Sequence, residues 1–144
     1  MGKVSIVYWS GTGNTEAMAD AMAEGAKEAG AEVELLTVDK ADAAALSEAK
    51  AFALGCPAMG AEVLEEGEME PFMAELDSRI AGKTIALFGS YGWGGGEWMR
   101  DWESRVVSDG AAVLSGEGII ADNAPDDDVL AECRAAGAKL AALV

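Results

Sequence analysis

The feature that most constrains this chain is a junction: the apolar run at residues 4–9, Val4-Ser5-Ile6-Val7-Tyr8-Trp9, passes directly into Ser10-Gly11-Thr12-Gly13-Asn14-Thr15 and then into a stretch of helical period. A run this short and β-branched reads as a buried parallel strand. Beyond the loop, Met18, Met22, Gly25, Ala26 and Ala29 recur at steps of three and four, a narrow face of small and flexible side chains able to lie close on a sheet, and Gly30 stops the helix. A strand feeding a helix through such a turn aims unpaired backbone N–H groups and the positive end of the helix dipole at one point, where an anion belongs. Gly11 and Gly13 let the backbone come near it, Ser10, Thr12 and Thr15 offer hydroxyls, Asn14 offers an amide, and no Lys or Arg lies inside the loop.

The nucleoside-triphosphate loop would need Gly-Lys-Ser/Thr, and the dinucleotide fingerprint a third glycine where this chain has Glu16. Neither pattern is met. A phosphate held by hydroxyls and amides alone suits a monophosphate bound stoichiometrically. An ordinary helix cap is the competing reading of the hexapeptide taken by itself.

The same junction recurs along the chain. Residues 33–38 read as an edge strand whose Glu32 and Glu34 tolerate solvent, residues 39–47 as a short alanine-rich helix, and residues 50–54 as a third strand. That strand runs into Gly55-Cys56-Pro57-Ala58-Met59-Gly60-Ala61-Glu62, which continues neither element. An acidic stretch with Glu65, Glu66, Glu68 and Glu70 follows and reads as a solvated face that, beside a ligand loop, also sets the local field. Pro71 starts a helix closed by Gly82, and residues 83–88 form a fourth strand ending in a glycine loop from Gly89 through Ser90, Tyr91, Gly92 and Trp93 to Gly96. The helix at 97–108 places Trp98, Trp102 and Val106 on a core stripe. A fifth strand at 111–114 is interrupted at 116–118 and continues at Ile119 and Ile120, and Asp126 starts the last helix, with Val129, Leu130, Cys133, Leu140 and Val144 as its buried face. Five strands alternating with helices through right-handed crossovers give a doubly wound α/β parallel sheet with helices on both faces, and the loops after strands one, three and four meet at one rim.

Composition narrows the function. With 144 residues, 51% hydrophobic, the chain is expected to be a single domain over 1–144. Lys and Arg number 10 against 26 Asp and Glu, a formal charge of −16, which argues against nucleic acid or anionic membrane and for a basic protein partner. The absence of histidine removes the commonest general base and metal ligand, which disfavours hydrolytic triads and zinc sites. Cys56 and Cys133 form no CxxC pair and are expected to be reduced thiols in a cytoplasmic protein, with neither signal peptide nor membrane span.

The three loops together resemble flavodoxin of the short-chain type, and the resemblance covers essentially the whole chain. It implies the strand order 2-1-3-4-5 with flavin mononucleotide (FMN) at the switch point, an order the general rule for such sheets takes from flavodoxin itself. It implies that Ser10, Gly11, Thr12, Gly13, Asn14 and Thr15 hold the phosphate, and that Pro57, Ala58, Met59, Gly60, Ala61 and Glu62 with Ser90, Tyr91, Gly92 and Trp93 hold the flavin. Trp93 would stack on the outer ring face and Met59 on the inner one, roles suited to an electron-rich indole and a polarizable thioether. Glu62 would accept from flavin N3–H, the Gly60 peptide would flip toward N5, Ala61 would tune that flip, and Asn123 would reach the rim from the last loop. No catalytic residue and no metal are implied.

By that resemblance the chain is an electron carrier, not an enzyme: non-covalent FMN shuttles one electron at low potential between semiquinone and hydroquinone, with Glu62 and its acidic neighbours making the second electron hard to add. The partners expected are redox enzymes with basic docking surfaces, ferredoxin-type reductases or oxidoreductases, met by a monomer. The alternative is an FMN-dependent NAD(P)H quinone reductase of the same fold, for which these loops leave little spare chain. A phosphoryl-receiver domain shares the architecture but needs clustered acids after the first strand, where this chain has hydroxyls.

Overall fold

Each short apolar run becomes a strand and each amphipathic stretch a helix in the computed structural model, which describes residues 2–60 and 62–144. In chain order the elements are β1 (Lys3–Tyr8), α1 (Asn14–Glu28), β2 (Glu32–Thr37), α2 (Ala43–Leu46), β3 (Ala51–Gly55), α3 (Met69–Leu76), β4 (Thr84–Tyr91), α4 (Glu97–Ser108), β5 (Ala112–Val113), β6 (Ile119–Asp122) and α5 (Asp127–Ala141). The strands pair in parallel in the order β2-β1-β3-β4-β5, with β6 also on β4.

The fifth strand is divided. β5 pairs with Thr84 and Ile85, the chain turns outward at Ser115 (φ 63°) and Gly116 (φ 88°), and β6 returns to the same edge opposite Phe88, Gly89, Ser90 and Tyr91. That second partner explains a difference from expectation: β4 does not end at Phe88, and Gly89, Ser90 and Tyr91 are strand residues because β6 supplies the ladder that keeps them extended. The third helix is shorter than expected and stops at Leu76, although Ile80 beyond it is still fully buried.

Alternation along the strands builds two cores, as a period of two requires. On one face α1 and α5 cover Val4, Ile6, Ala53 and Phe88; on the other α3 and α4 cover Val7, Phe52, Leu54 and Leu87. Trp98 and Trp102 lie in the second core, 1% exposed each, with their indole N–H groups donated to the Cys56 carbonyl oxygen (2.9 Å) and the Met73 sulfur (3.4 Å). Cys133 sits in the first core, and of the apolar face expected for α5, Val129, Leu130 and Val144 are only half-buried. The small face of α1 divides its work: Met18, Met22 and Ala26 pack in the sheet-side core, but Gly25 meets α5. A Cβ on Gly25 would lie 1.9 Å from the Arg134 carbonyl oxygen, and one on Gly137 would lie 2.0 Å from that of Met22. Across the second core, Arg105 of α4 grips Glu70 (2.7 and 2.8 Å) and Asp77 (2.8 Å) at the two ends of α3.

Candidate functional site

Backbone pairing does not stop where the strands do. Trp9 N–H donates to the Gly55 carbonyl (3.0 Å), Cys56 N–H to Phe88 (3.0 Å), Ala58 N–H to Ser90 (3.0 Å) and Asn123 N–H to Tyr91 (2.7 Å). The segments leaving β1, β3, β4 and β6 are therefore laced side by side at the carboxyl rim. Because β2 lies on the far side of β1, a crevice opens there between the ends of β1 and β3.

At the foot of the crevice Gly13 has φ 95°, a left-handed conformation open to glycine, and no side chain caps α1 at that residue. Ser10 Oγ accepts from the N–H groups of Gly13 (3.2 Å) and Glu16 (3.3 Å), which bends the loop around the helix end. Thr15 differs from expectation. It is 1% exposed, its Oγ1 lies 3.4 Å from Ser90 Oγ and accepts from Ser90 N–H at 3.4 Å, so its hydroxyl braces α1 against β4. Thr12 and Asn14 are the polar side chains of the loop that line the crevice, with Gly11 beside them.

The crevice has a volume of about 240 Å3 and brings together Gly11, Thr12 and Asn14 with Pro57, Ala58 and Met59, with Ser90, Tyr91, Gly92 and Trp93, and with Asn123. Trp93 is 55% exposed, and Tyr91 rests on Trp98 with ring centroids 5.5 Å apart. Asn123, at φ 61°, has its Oδ1 close over Gly92. Among the described residues no cationic side chain lines the crevice.

Among the expected members, Ser10, Gly13 and Thr15 shape the loop behind the crevice, and Gly60 and Glu62 lie outside its lining. Met59 and Val63 pair in both directions (2.9 and 3.0 Å) around a tight turn in which Gly60 has φ 50° and open space about it; Ala61 lies outside the described residues. Glu62 does not face the crevice. Its carboxylate accepts from Glu97 N–H (3.2 Å) and lies over Gly94, drawn to the positive end of α4.

Two features were missed by sequence reasoning. Trp9, read only as the last residue of a strand, forms a wall of the crevice; its position at the carboxyl end of a strand was the available signal. The acidic stretch is not merely a solvated face. Glu65 accepts the backbone N–H groups of Gly67 (2.8 Å), Glu68 (2.7 Å) and Met69 (2.9 Å) just ahead of α3. Burial by itself would raise the Glu65 carboxyl, but these hydrogen bonds carry it below its ordinary range. Burial pushes the Cys56 thiol up to about 12, so it stays protonated beside the site.

The residues present fit FMN. A helix end whose N-cap, Gly13, brings no side chain over it, with hydroxyl and amide donors beside it, matches a phosphate that needs no cation, and a crevice bordered by Trp9, Met59, Tyr91 and Trp93 matches a flat ring.

The protein-family model described as Flavodoxin matches residues 6–137. A flavodoxin of Clostridium beijerinckii is 49% identical over 124 residues, 86% of this chain and 89% of that protein. One of Megasphaera elsdenii is 47% identical over 135 residues, 92% of this chain and 98% of that protein. The solution structure of two-electron reduced Megasphaera elsdenii flavodoxin superposes with a TM-score of 0.86 at 45% identity, covering 94% of this chain and 98% of that one. Among the described residues no helix is long and apolar enough to cross a membrane.

Proposed function

The chain belongs to the flavodoxin family, and from that premise we propose how its crevice works. It is a small FMN-binding electron carrier that acts with redox partner enzymes and has no substrate turnover of its own. Bound FMN supplies reversible one-electron chemistry. The N-terminal amides of α1, with Gly11, Thr12 and Asn14, hold the phosphate, and Ser10, Gly13 and Thr15 keep that loop in shape. Met59 and Trp93 border the two faces of the ring, Pro57, Ala58, Tyr91 and Asn123 close its rim, and the backbone of Gly92 and Trp93, just beyond Ser90, receives its polar end. Gly60, whose position leaves open space for its turn, can rotate its carbonyl toward the ring and accept a hydrogen bond there, favouring the one-electron step. Glu62 stays with α4 and adds its charge to a rim that disfavours further negative charge on the ring.

The observation that carries this reading is the lacing of four strand ends around the start of α1, with no cationic side chain among the described residues that line the crevice. The loops flanking it hold exposed acids, among them Glu66, Glu68, Glu97, Asp122 and Asp126, a surface suited to basic docking faces on ferredoxin-type reductases or oxidoreductases. The chain works as one domain over 1–144, as a monomer, and two buried unpaired thiols support a cytoplasmic setting. A quinone reductase is not favoured, because the flavodoxin relatives are matched over nearly their whole length at 47–49% identity, whereas the NAD(P)H dehydrogenase (quinone) of Nitrobacter winogradskyi is matched over half of its length at 32%. Stepwise anaerobic reduction followed by visible absorbance tests the mechanism. A yellow protein that turns blue before it bleaches supports it; bleaching without blue overturns the one-electron reading, and no colour after FMN is added overturns the flavin.

A further inference from the structure

Trp9 is pinned at both ends. Its backbone N–H joins the sheet through Gly55, and its indole Nε1–H donates to Glu68 Oε1 at 3.2 Å across 59 residues of sequence. Gly11 lies flat on the ring: a Cβ there would sit 3.1 Å from Trp9 Cη2. Glu68 is itself anchored, since its N–H donates to Glu65 Oε1 at 2.7 Å, and Glu65 holds the neighbouring amides as well.

We propose that Trp9 is a cofactor-binding residue and that Glu68 is the positioning residue that fixes its indole as one wall of the crevice. The inference rests on the flavin reading above and adds to it a role for the acidic stretch. An indole on two side-chain torsions is free to turn unless something holds its far end; one hydrogen bond to a carboxylate carried on backbone that Glu65 fixes limits that freedom before the ligand arrives, so less ordering is left to binding. Gly11 joins this wall to the phosphate loop, so a displaced indole disturbs both halves of the site.

The test is FMN binding by Trp9→Phe, Glu68→Ala and Glu68→Gln, with near-ultraviolet circular dichroism of each protein before FMN is added. Glutamine keeps an acceptor oxygen and loses the charge, so Glu68→Gln is expected to bind FMN like the parent. Glu68→Ala and Trp9→Phe, each without one partner, are expected to weaken binding about fivefold, and the double variant is expected to be no weaker than either. Glu68→Ala should also alter the indole dichroism that Glu68→Gln retains. Equal effects of Gln and Ala would show that charge alone matters, and parent-like binding and dichroism in Glu68→Ala would show that nothing is positioned; either outcome overturns the proposal. A parent chain that binds no FMN overturns the flavin reading and this inference together, whereas a tight-binding parent with indifferent variants overturns this inference alone.

Discussion

Replacing Gly137 with alanine separates two effects that sequence and structure push in opposite directions. Alanine is the better helix former by about 1 kcal/mol, so α5 considered alone gains stability. The new methyl would lie 2.0 Å from the Met22 carbonyl oxygen and 2.8 Å from Ala26 N, both backbone atoms of α1 that no rotamer change can clear. The two helices must part by roughly an ångström, and overpacking of this kind costs typically about 1–3 kcal/mol, with contacts to rigid backbone at the upper end. The net expectation is destabilisation of about 2 kcal/mol, or about 4–8 °C in Tm for a chain of this size. Because α1 carries the phosphate loop at its start, the same displacement should weaken FMN binding while leaving the ring contacts in place. Urea unfolding of the apoprotein and FMN titration measure the two consequences separately. Gly25→Ala should cost a similar amount, for its Cβ would meet Arg134 O at 1.9 Å, and the double variant should cost less than the sum because one separation relieves both. A Gly137→Ala protein as stable as its parent would refute the close approach of α1 and α5 and the reasoning built on it.

Other outcomes follow from local chemistry. Asp109 has a buried, unpartnered Oδ2 and is pushed up to about 6, first by burial and then by the Asp77 carboxylate that Arg105 keeps ionised. The folded state therefore holds that proton more tightly than the unfolded chain, and the stability it confers is full below the ordinary aspartate range and lost as pH rises through about 6. Asp109→Asn, able to donate to Asp77, should raise the urea midpoint at pH 7, by less than about 1 kcal/mol after solvent screening, and flatten its pH dependence between roughly 4 and 6; an unchanged midpoint would contradict this. Ser10→Ala removes the acceptor of the Gly13 amide and of the Glu16 amide in the first turn of α1 and should cost about 1 kcal/mol in stability together with a loss of FMN affinity, read by thermal unfolding and fluorescence titration. Reduction by a physiological partner should slow as ionic strength rises, and stopped-flow rates that hold steady or increase would rule out electrostatic steering.

What could be read in the sequence was local. The strand, loop and helix order, the start of α4 at Glu97, the start of α5 next to Asp126 and the three loops that meet at one rim all depend on residues within a few positions of one another. Most of the crevice was legible for the same reason: Gly11, Thr12, Asn14, Met59 and Trp93 stand on loops that topology alone sends to one rim. The contacts that local sequence does not show depend on partners far along the chain. Thr15 turns to Ser90 across 75 residues, Glu62 to Glu97 across 35 and Trp9 to Glu68 across 59. β4 extends to Tyr91 because β6 lies beside it, and Gly25 meets α5 because Gly137 stands opposite. A side chain's period and neighbours state which face it presents, which was enough to determine an α/β sheet with an anion loop at its switch point. Which atom that side chain then meets is decided by hydrogen bonds and steric contacts that exist only once the elements have packed, and these set the walls of the site.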